Sequence, residues 1–434
     1  MARLLDLLAD RCADDLVWIG PNRPRLTVDD VRQAVDSGQD AQRALRGKCV
    51  ALGNLPVVEF VLSLVQLDGL AARIVLLPPE DDAATRAERL RTAEVEHVLE
   101  NDGLALASRV SHWRDSRAAD RPALATEWWL PTSGTTGTPK LIAHTLASLT
   151  RGMSGRRPGD GFVWGSLYNL RRFAGLQVLL QAWLAGTPLV LAEDNTELPI
   201  VLQRLAAAGC NALSATPSMW RKMSMLSEFD ALALRQITLG GEIVDQPVLD
   251  MLKKRFPEAR ITHIYASTEA GVGFAVRDGL AGFPRTLFNQ PIDGVELRLA
   301  DNQHLWIKPP NGNWTDTGDI VDVIGGRGHF LGRANGSINV GGNKVMPEEV
   351  EGVIRELPEV AFVCVRARKS AILGSLVEAA VALMPGYELD PAQKKKILVH
   401  CSNRLESFKV PAFIVPFTNV QLSAAGKLIR IPSP

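Results

Sequence analysis

The stretch Pro131-Thr-Ser-Gly-Thr-Thr-Gly-Thr-Pro-Lys140 is the most informative part of this 434-residue chain for its fold and its chemistry. Hydroxyl and backbone N–H groups at this density, closed by a single lysine, suit a loop that wraps phosphate oxygens. The glycines at 134 and 137 let the main chain approach an anion without an intervening Cβ. The sequence therefore predicts a phosphate-binding loop formed by Thr132, Ser133, Gly134, Thr135, Thr136, Gly137 and Lys140.

The residues on either side of this loop favour the edge of a sheet over a flexible Ser/Thr/Gly linker. Trp128-Trp-Leu130 is typical of the end of a strand, and the apolar Leu141-Ile-Ala143 follows the lysine. The loop fits neither of the two commonest phosphate motifs. A Walker A loop has its lysine directly after the second glycine, whereas Lys140 lies three residues past Gly137, and the Gly-x-Gly-x-x-Gly fingerprint is absent.

The bulk composition favours a globular enzyme-sized protein with no electrostatic attraction to polyanions. Lysines plus arginines and acidic residues number 48 each, so we expect no nucleic-acid or membrane partner. The apolar segment 1–10 is interrupted by acidic residues and indicates an amphipathic helix, not a signal peptide. Five scattered cysteines without a Cys-x-x-Cys pair indicate a reducing, cytoplasmic location and disfavour a zinc site.

Strand-like apolar runs alternate with helix-like stretches through most of the chain, which predicts an α/β fold with largely parallel sheets. Shorter alternating strands at 295–299 and 304–307 suggest a small antiparallel barrel. After Gly332 the pattern changes to a compact α+β unit, so we predict a boundary between a domain at 1–333 and another at 334–434. The elements predicted for the second domain are helix 347–356, strand 361–366, strand 377–383, helix 391–406 and strand 412–416.

Four more motifs follow the loop at 131–140. They are Tyr265-Ala-Ser-Thr-Glu269, Thr315-Asp-Thr-Gly-Asp319, the run from Gly332-Arg333 through Gly341-Gly342 to Pro347-Glu-Glu-Val-Glu351, and Ser423-Ala-Ala-Gly-Lys427. In this order they resemble the motifs of the AMP-forming adenylate superfamily, which includes acyl- and aryl-CoA ligases, luciferases and the adenylation domains of peptide synthetases. The resemblance covers roughly residues 45 to 430.

This resemblance implies a large N-terminal domain of stacked, mostly parallel sheets plus a small barrel. A small mobile C-terminal α+β domain would follow on a hinge at Asn335. Asn tolerates unusual backbone angles, and Gly336 removes steric limits beside it. The phosphate loop arrives early for this family, which implies that the elements before it are trimmed.

The resemblance also implies ATP-binding roles outside the phosphate loop. Thr268 would donate to the α-phosphate, and Glu269 would bind Mg²⁺ directly or through water. Asp319 would accept from both ribose hydroxyls, and Arg333 would add a ribose or phosphate contact. Tyr265 and the segment Gly240-Gly241-Glu242 would lie along the nucleotide. Simpler readings remain open: helix capping by residues 267–269, a turn at 318–319 and a strand-to-helix turn at 240–242.

Lys427 is the candidate catalytic cation. Joining a carboxylate to the α-phosphate of ATP brings two anions together, so positive charge is needed where negative charge develops. The family's equivalent lysine lies on a mobile loop and bridges the carboxylate and the α-phosphate. After domain rotation, the loop at Gly341-Gly342 would serve the second step, in which a thiol attacks the adenylate.

The acid pocket is predicted around Arg172, Phe173, Gly175, Gly240 and Ala266. Ala266 replaces the usual glycine and would narrow the pocket. Arg171 lies about where amino-acid-activating relatives place an Asp for the α-ammonium, which disfavours an ordinary amino acid. No evident insertion forms an acyl tunnel, so we expect an aromatic acid or a short polar one, with Arg171 or Arg172 facing the pocket.

The leading hypothesis is therefore an AMP-forming acyl/aryl-CoA ligase that uses ATP, Mg²⁺ and CoA. The alternative is an enzyme that loads the same adenylate onto the phosphopantetheine of a carrier protein. A basic cluster of Arg366, Arg368 and Lys369 slightly favours CoA, which carries a 3′-phosphate. A non-catalytic nucleotide-binding homologue is disfavoured by Lys427 and Glu269, and a luciferase-like oxygenase has no distinguishing feature here.

Overall fold

The computed structural model describes residues 3–19, 25–37, 44–100, 124–132, 140–153, 161–191, 196–310, 312–370, 373–418, 420–423 and 426–429. These residues form two compact units. Unit 1 comprises residues 1–214, 231–234 and 267–271, and unit 2 comprises residues 215–230, 235–266 and 272–434.

Unit 1 contains two mostly parallel sheets. One has the strand order β5-β3-β4-β6-β7, in which only β7 is antiparallel to its neighbour, and the other contains β10-β8-β9-β1-β2, in which only β2 is antiparallel. The strands are β1 Leu16–Ile19, β2 Leu26–Thr27, β3 Cys49–Leu52, β4 Arg73–Leu76, β5 His97–Leu99, β6 Glu127–Pro131, β7 Leu141–His144, β8 Trp164–Ser166, β9 Leu189–Leu191 and β10 Ala212–Ala215.

The helices of unit 1 fill the connections between these strands, as the alternation in the sequence predicted. They are Val28–Ser37, Val57–Leu67, Ala83–Thr92, Leu146–Leu149, Phe173–Leu184 and Leu198–Ala207. Helix Val57–Leu67 is apolar around most of its circumference because both it and the strands beside it are buried. The amphipathic helix predicted at the N-terminus is a 3₁₀ helix, Leu4–Leu8, with both terminal leucines buried.

Unit 2 contains three groups of strands. Strands β13-β12-β11 are neighbours, with β11 and β12 parallel, and β14-β18-β17-β16-β15 form an antiparallel sheet where the sequence suggested a small barrel. The third sheet is β20-β19-β22-β21, with β23 parallel to β22. The bounds are β11 Gln236–Gly240, β12 Arg260–Ser267, β13 Gly271–Val276, β14 Phe283–Pro284, β15 Glu296–Leu299, β16 His304–Lys308, β17 Thr315–Ile324, β18 Arg327–Arg333, β19 Ile338–Val340, β20 Asn343–Val345, β21 Val360–Ser370, β22 Gly374–Leu383 and β23 Phe413–Pro416.

The four helices described in unit 2 are Pro217–Ser224, Gln246–Arg255, Pro347–Arg355 and Pro391–Ser402. Each has a proline in its first turn, where the missing N–H costs no hydrogen bond. Three are also capped by a side chain: Thr216, Asp245 and Asp390 each accept from a backbone N–H three residues on. The third sheet and helices Pro347–Arg355 and Pro391–Ser402 share an apolar core that includes Val345, Val350 and Ile397.

Candidate active site

The two ends of the predicted phosphate loop are fixed to each other in unit 1. Strands β6 and β7 are antiparallel, with Pro131 opposite Leu141. Beyond that pair, the Thr132 N–H donates to the Lys140 carbonyl at 2.9 Å, and the Lys140 N–H donates to Thr132 Oγ1 at 3.2 Å. Residues 132 and 140, at the two ends of the loop, are therefore held together by the β6–β7 hairpin. Ser133, Gly134, Thr135, Thr136 and Gly137 lie outside the described residues, so their phosphate contacts stay a prediction.

A tight turn at Ser267–Ala270 presents Glu269, also in unit 1. Ser267 Oγ accepts from the Ala270 N–H at 3.0 Å in the turn between β12 and β13, so these residues do not cap a helix, which was the alternative that the sequence left open. His144 Nε2 lies 2.7 Å from the Thr268 carbonyl oxygen. Arg151 donates to the Ala270 carbonyl at 2.7 Å. These contacts fix the backbone of the turn, while the Glu269 side chain is exposed and accessible to a ligand.

His144 supports this turn as a neutral imidazole. Burial lowers its pKa, and the hydrogen bond to Thr268 opposes that shift only in part. The other ring nitrogen lies 3.1 Å from Ser148 Oγ, and the ring packs 5.8 Å from the Phe173 ring. These contacts give His144 a packing and hydrogen-bonding role beside the turn. Its specific partner, Thr268, is 124 positions away and left no signal in the sequence.

Three of the predicted nucleotide residues meet in unit 2. Tyr265 OH donates to Asp319 Oδ2 at 2.6 Å, and Arg333 Nε donates to Asp319 Oδ1 at 3.1 Å. Asp319 and Arg333 are opposite each other on β17 and β18, and Tyr265 is near the end of β12. Gly318, with a positive φ, lies within β17 directly before Asp319, where the pairing with β16 shifts its register. Asp319 is thus held inside a strand by a phenol and a guanidinium, one on each carboxylate oxygen, and each oxygen can accept a further hydrogen bond.

The ring of Tyr265 is set among phenylalanines. Its centroid lies 5.1 Å from that of Phe274 and 5.1 Å from that of Phe330, with interplanar angles of 18° and 16°. Burial, reinforced by the Asp319 carboxylate, raises the pKa of Tyr265 well above its ordinary value. The phenol therefore stays protonated and acts as a hydrogen-bond donor to Asp319.

Lys427 lies in a small hairpin whose neighbouring residues are anchored within unit 2. The Ser423 N–H donates to the Lys427 carbonyl at 2.8 Å, and an isolated bridge joins Leu422 to Leu428. Ala424 and Ala425 of the same motif lie outside the described residues. A Cβ built on Gly241 would lie 3.5 Å from Lys427 Cε, so the lysine side chain runs along the glycine segment at 240–241.

Glu242 and Thr216 hold the residues on either side of Lys427. Glu242 Oε1 accepts from the Leu428 N–H at 2.8 Å, and Thr216 Oγ1 donates to the Gly426 carbonyl. Glu242 also accepts from the N–H and hydroxyl of Ser218, at 2.9 and 3.0 Å. Sequence reasoning assigned Glu242 to ATP and did not select Thr216 or Ser218. The only sequence signal for Thr216 was its place before Pro217 as a helix cap.

The predicted acid-pocket residues of unit 1 have protein partners. Arg171 is only 1% exposed, donates to the carbonyls of Gly53 and Leu55, and lies 4.6 Å from the Phe60 ring. It is therefore a buried structural arginine. Arg172 donates to Glu80 Oε1 at 2.9 and 2.6 Å, so it could read an acid only by sharing or leaving Glu80.

The remaining predicted positions have local explanations for their residue type. A Cβ on Gly175 would lie 2.3 Å from the Asn169 carbonyl oxygen, so close packing alone requires glycine there. Phe173 is buried, and Gly240 and Ala266 end or nearly end parallel strands of unit 2. Asn335 is exposed in a 3₁₀ turn, Ala334–Gly336, which is compatible with the predicted hinge.

The comparisons with known proteins identify the family. The sequence profile of the AMP-binding enzyme family matches residues 46–332, and that of the AMP-binding enzyme C-terminal domain matches residues 349–427. The chain belongs to the AMP-binding enzyme family. The predicted membership and α/β fold are confirmed, whereas the predicted boundary at 333/334 stays a prediction.

Individual relatives cover this chain along nearly its whole length. It is 24% identical over 467 aligned residues to 2-succinylbenzoate–CoA ligase of Listeria monocytogenes, covering 95% of this chain and 96% of that one. It is 25% identical to part of surfactin synthase subunit 1 of Bacillus subtilis, of which it spans 10%. The solved anthranilate CoA ligase AuaEII, in complex with anthranoyl-AMP, has a TM-score of 0.82 at 20% identity, covering 98% and 95% of the two chains.

Proposed function

We propose that this protein is an AMP-forming acid–thiol ligase that activates a carboxylic acid with ATP and transfers the acyl group to CoA. In the first step a carboxylate oxygen attacks the α-phosphorus, and the bond to pyrophosphate breaks. In the second step the CoA thiolate attacks the acyl carbon, and AMP leaves with the bonding electron pair. A reducing, cytoplasmic setting is part of this proposal, since none of the five cysteines forms a disulfide.

The observation that carries the proposal is the anchored position of Lys427. Both sequence neighbours of Lys427 are hydrogen-bonded to side chains of distant segments, Gly426 to Thr216 and Leu428 to Glu242. A cation held in place stabilises developing negative charge without a reorganisation cost at the moment of reaction. Lys427 would neutralise charge on the α-phosphate and the attacking carboxylate, while Asp319 would accept from the ribose hydroxyls.

Magnesium fits the residues present. No group of three metal-ligating side chains occurs among the residues that the structure describes. Mg²⁺ that accompanies a nucleotide needs only one or two carboxylates, because phosphate oxygens and waters complete its coordination. The exposed carboxylate of Glu269, on a turn fixed by His144 and Arg151, is the candidate ligand. When bound, the metal would offset the charge of the phosphates.

The choice of thiol acceptor rests on full-length similarity. The 2-succinylbenzoate–CoA ligases of Listeria monocytogenes and Lactococcus lactis are covered to 96% and 89% of their length, whereas surfactin synthase subunit 1 is matched over a tenth of its length. The basic cluster adds little, because Glu378 neutralises two of its members, with 2.7 Å to Arg366 and 3.0 Å to Arg368. Loading a carrier protein remains the alternative.

We further propose an aromatic substrate acid. 2-Succinylbenzoate–CoA ligase, the benzoate–CoA ligase of Thauera aromatica (25% identical over 70% of this chain) and AuaEII all have names that specify aromatic acids. The position where amino-acid-activating relatives have an Asp for the α-ammonium is Arg171 in this chain, and its side chain is buried against Phe60. A second anionic group on the acid could compete with Glu80 for Arg172.

A pyrophosphate-release screen tests the proposal. Benzoate-type acids, amino acids and long-chain fatty acids would each be incubated with the enzyme and Mg-ATP, first with CoA and then with a phosphopantetheinylated carrier protein. We expect aromatic acids with CoA to turn over fastest. Turnover of a proteinogenic amino acid or a long acyl chain would contradict the aromatic assignment, and carrier-only turnover would contradict CoA. No pyrophosphate with any acid would contradict the ligase itself.

A further inference from the structure

The carboxylate of Glu242 connects three segments of unit 2. Oε2 accepts from the Ser218 N–H at 2.9 Å, and Oε1 accepts from the Ser218 hydroxyl at 3.0 Å and from the Leu428 N–H at 2.8 Å. Ser218 lies in the first turn of helix Pro217–Ser224, and Leu428 directly follows Lys427. One side chain therefore ties the lysine hairpin to a helix start 210 positions earlier.

Thr216 completes the attachment on the other side of the lysine. Its hydroxyl has one hydrogen to donate and oxygen lone pairs to accept with. It donates to the Gly426 carbonyl and accepts from the Met219 N–H at 3.1 Å. Residues 426 and 428 are thus each fixed by a side chain of another segment, and residue 427 between them has its backbone position set from both directions.

The hairpin's own contacts are modest by comparison. Among its described residues it has one isolated bridge between Leu422 and Leu428, three backbone bonds (Ser423 to Lys427, Gly426 to Ser423 and Ile429 to Gln421), and a 3.3 Å bond from the Lys427 N–H to Ser423 Oγ. An isolated two-stranded hairpin is marginally stable in water. Bonds to a carboxylate are stronger than neutral ones. The Glu242 and Thr216 contacts therefore supply the positional precision that a catalytic cation needs.

We propose that Glu242 is a positioning residue, which with Thr216 clamps the peptide on both sides of Lys427 and serves the adenylate-forming step specifically. This rests on the proposed function of Lys427. It gives Glu242 a role in addition to the nucleotide contact expected from the sequence, since its two oxygens accept from Ser218 and Leu428. The clamp acts on the backbone of residues 426 and 428 and not on the lysine side chain.

The test separates the two half-reactions of the full-length enzyme. Adenylate formation would be followed as pyrophosphate release, and the second step as thioester formation from CoA and supplied benzoyl-adenylate, or the adenylate of the acid that the screen selects. We expect Glu242→Ala to form adenylate about 10- to 100-fold more slowly than the unmodified enzyme, because a charged hydrogen bond to the hairpin is lost. We expect any change in the second rate to be at least about tenfold smaller than that loss. Equal losses in both steps would overturn the proposal.

Two further variants distinguish a clamp from a general structural role. Glu242→Gln keeps one carbonyl acceptor and should recover part of the lost rate. The double variant Glu242→Ala/Lys427→Ala should form adenylate no more slowly than Lys427→Ala alone, because the clamp acts only through the lysine. Multiplying losses would overturn the proposal. A Lys427→Ala variant with normal adenylation would instead defeat the proposed function of the lysine.

Glu296→Ala is the matched control for removing a carboxylate from unit 2. Glu296 pairs with Lys308 at 2.8 Å, its opposite residue across β15 and β16, and neither strand is part of the clamp. We expect both half-reactions of this variant to match the unmodified enzyme. A change equal to that of Glu242→Ala would show that the loss is unspecific and would overturn the clamp.

Discussion

The hairpins at 421–429 and 338–345 are both in unit 2, and each has a residue assigned to one of two successive reaction steps. The first is held from outside, through Glu242 to Leu428 and Thr216 to Gly426. The second has its own ladder, with β19 paired to β20 through residues 338–345, and it joins the sheet through β22, where the Gly341 N–H donates to the Leu373 carbonyl at 3.1 Å. Its turn adds the Gly342 N–H bond to Asn339 Oδ1 at 2.9 Å.

The difference shows two ways of placing functional residues. At Gly341 and Gly342, φ values of +57° and +91° produce a two-residue hairpin turn that glycine adopts readily, so local geometry sets the shape of this turn, and its contact outside the hairpin is with Leu373, about 30 residues later. At Lys427 the backbone position depends on partners about 200 positions earlier. The 338–345 hairpin should therefore keep its turn when it moves as a rigid body. The 421–429 hairpin should lose the position of Lys427 when a distant partner is removed.

Replacing the lysine of each hairpin gives the largest expected contrast. Lys427→Ala should reduce adenylate formation on the order of 10²–10³-fold, the scale of a lost electrostatic donor at a transition state. Lys344→Ala is the matched control, since Lys344 is exposed in the second hairpin. Pyrophosphate release with ATP and the preferred acid measures both. Near-normal pyrophosphate release by Lys427→Ala would show that this lysine has no catalytic role in adenylate formation.

The sequence predicted the local elements well and the long-range contacts poorly. The loop at Gly341-Gly342 and the helices predicted to begin at residues 347 and 391 all follow from residues close together, and the structure has them there. The contacts of Thr216 with Gly426 and of His144 with Thr268 join residues more than 120 positions apart. No periodicity or spacing in a single sequence encodes which distant segments meet.

Two neighbouring arginines show why side-chain roles were harder to predict. The sequence left open which of Arg171 and Arg172 faces an acid. Arg171 is buried against the carbonyls of Gly53 and Leu55, and Arg172 pairs with Glu80. A polar residue can be retained for internal hydrogen bonding as readily as for a ligand, and only its partners distinguish the two.

Glu269→Gln should divide the two steps in a different way. Removing one negative charge weakens the affinity for a hard cation. Pyrophosphate release should fall about tenfold at limiting Mg²⁺, about 1.4 kcal/mol, and recover as Mg²⁺ is raised. Thioester formation from supplied adenylate has no pyrophosphate to neutralise and should change less. A magnesium titration that overlays the unmodified enzyme would exclude Glu269 as the ligand.

Gly342→Ala tests whether the turn of the 338–345 hairpin serves the second reaction step. A Cβ there meets no atom within 4 Å, so the cost comes from the positive φ alone, about 1–2 kcal/mol for a residue other than glycine. If that strain shifts the turn, the second step should slow about 5- to 30-fold while pyrophosphate release is retained. Gly325→Ala is the control, because Gly325 also has a positive φ and open surroundings. Equal effects of the two would show that the turn has no special role in the second step.

The smallest predicted effect on adenylate formation concerns a network of charged side chains in unit 2. Asp245 pairs with Arg221 at 2.5 Å and lies 3.7 Å from Arg355, which also pairs with Glu351 at 2.8 Å. Arg355 lies in the segment matched by the C-terminal family profile, and Asp245 in the segment matched by the first profile. This pair therefore joins the segments matched by the two profiles, as the Thr216–Gly426 hydrogen bond does. Because Arg221 still neutralises Asp245, Arg355→Ala should slow adenylate formation only about two- to fivefold, matching an ion pair worth up to about 1 kcal/mol. Arg355→Lys, which keeps the charge, should lose less. A loss shared equally by both half-reactions would assign the network to stability instead, and thermal unfolding of the same variants would measure that contribution directly.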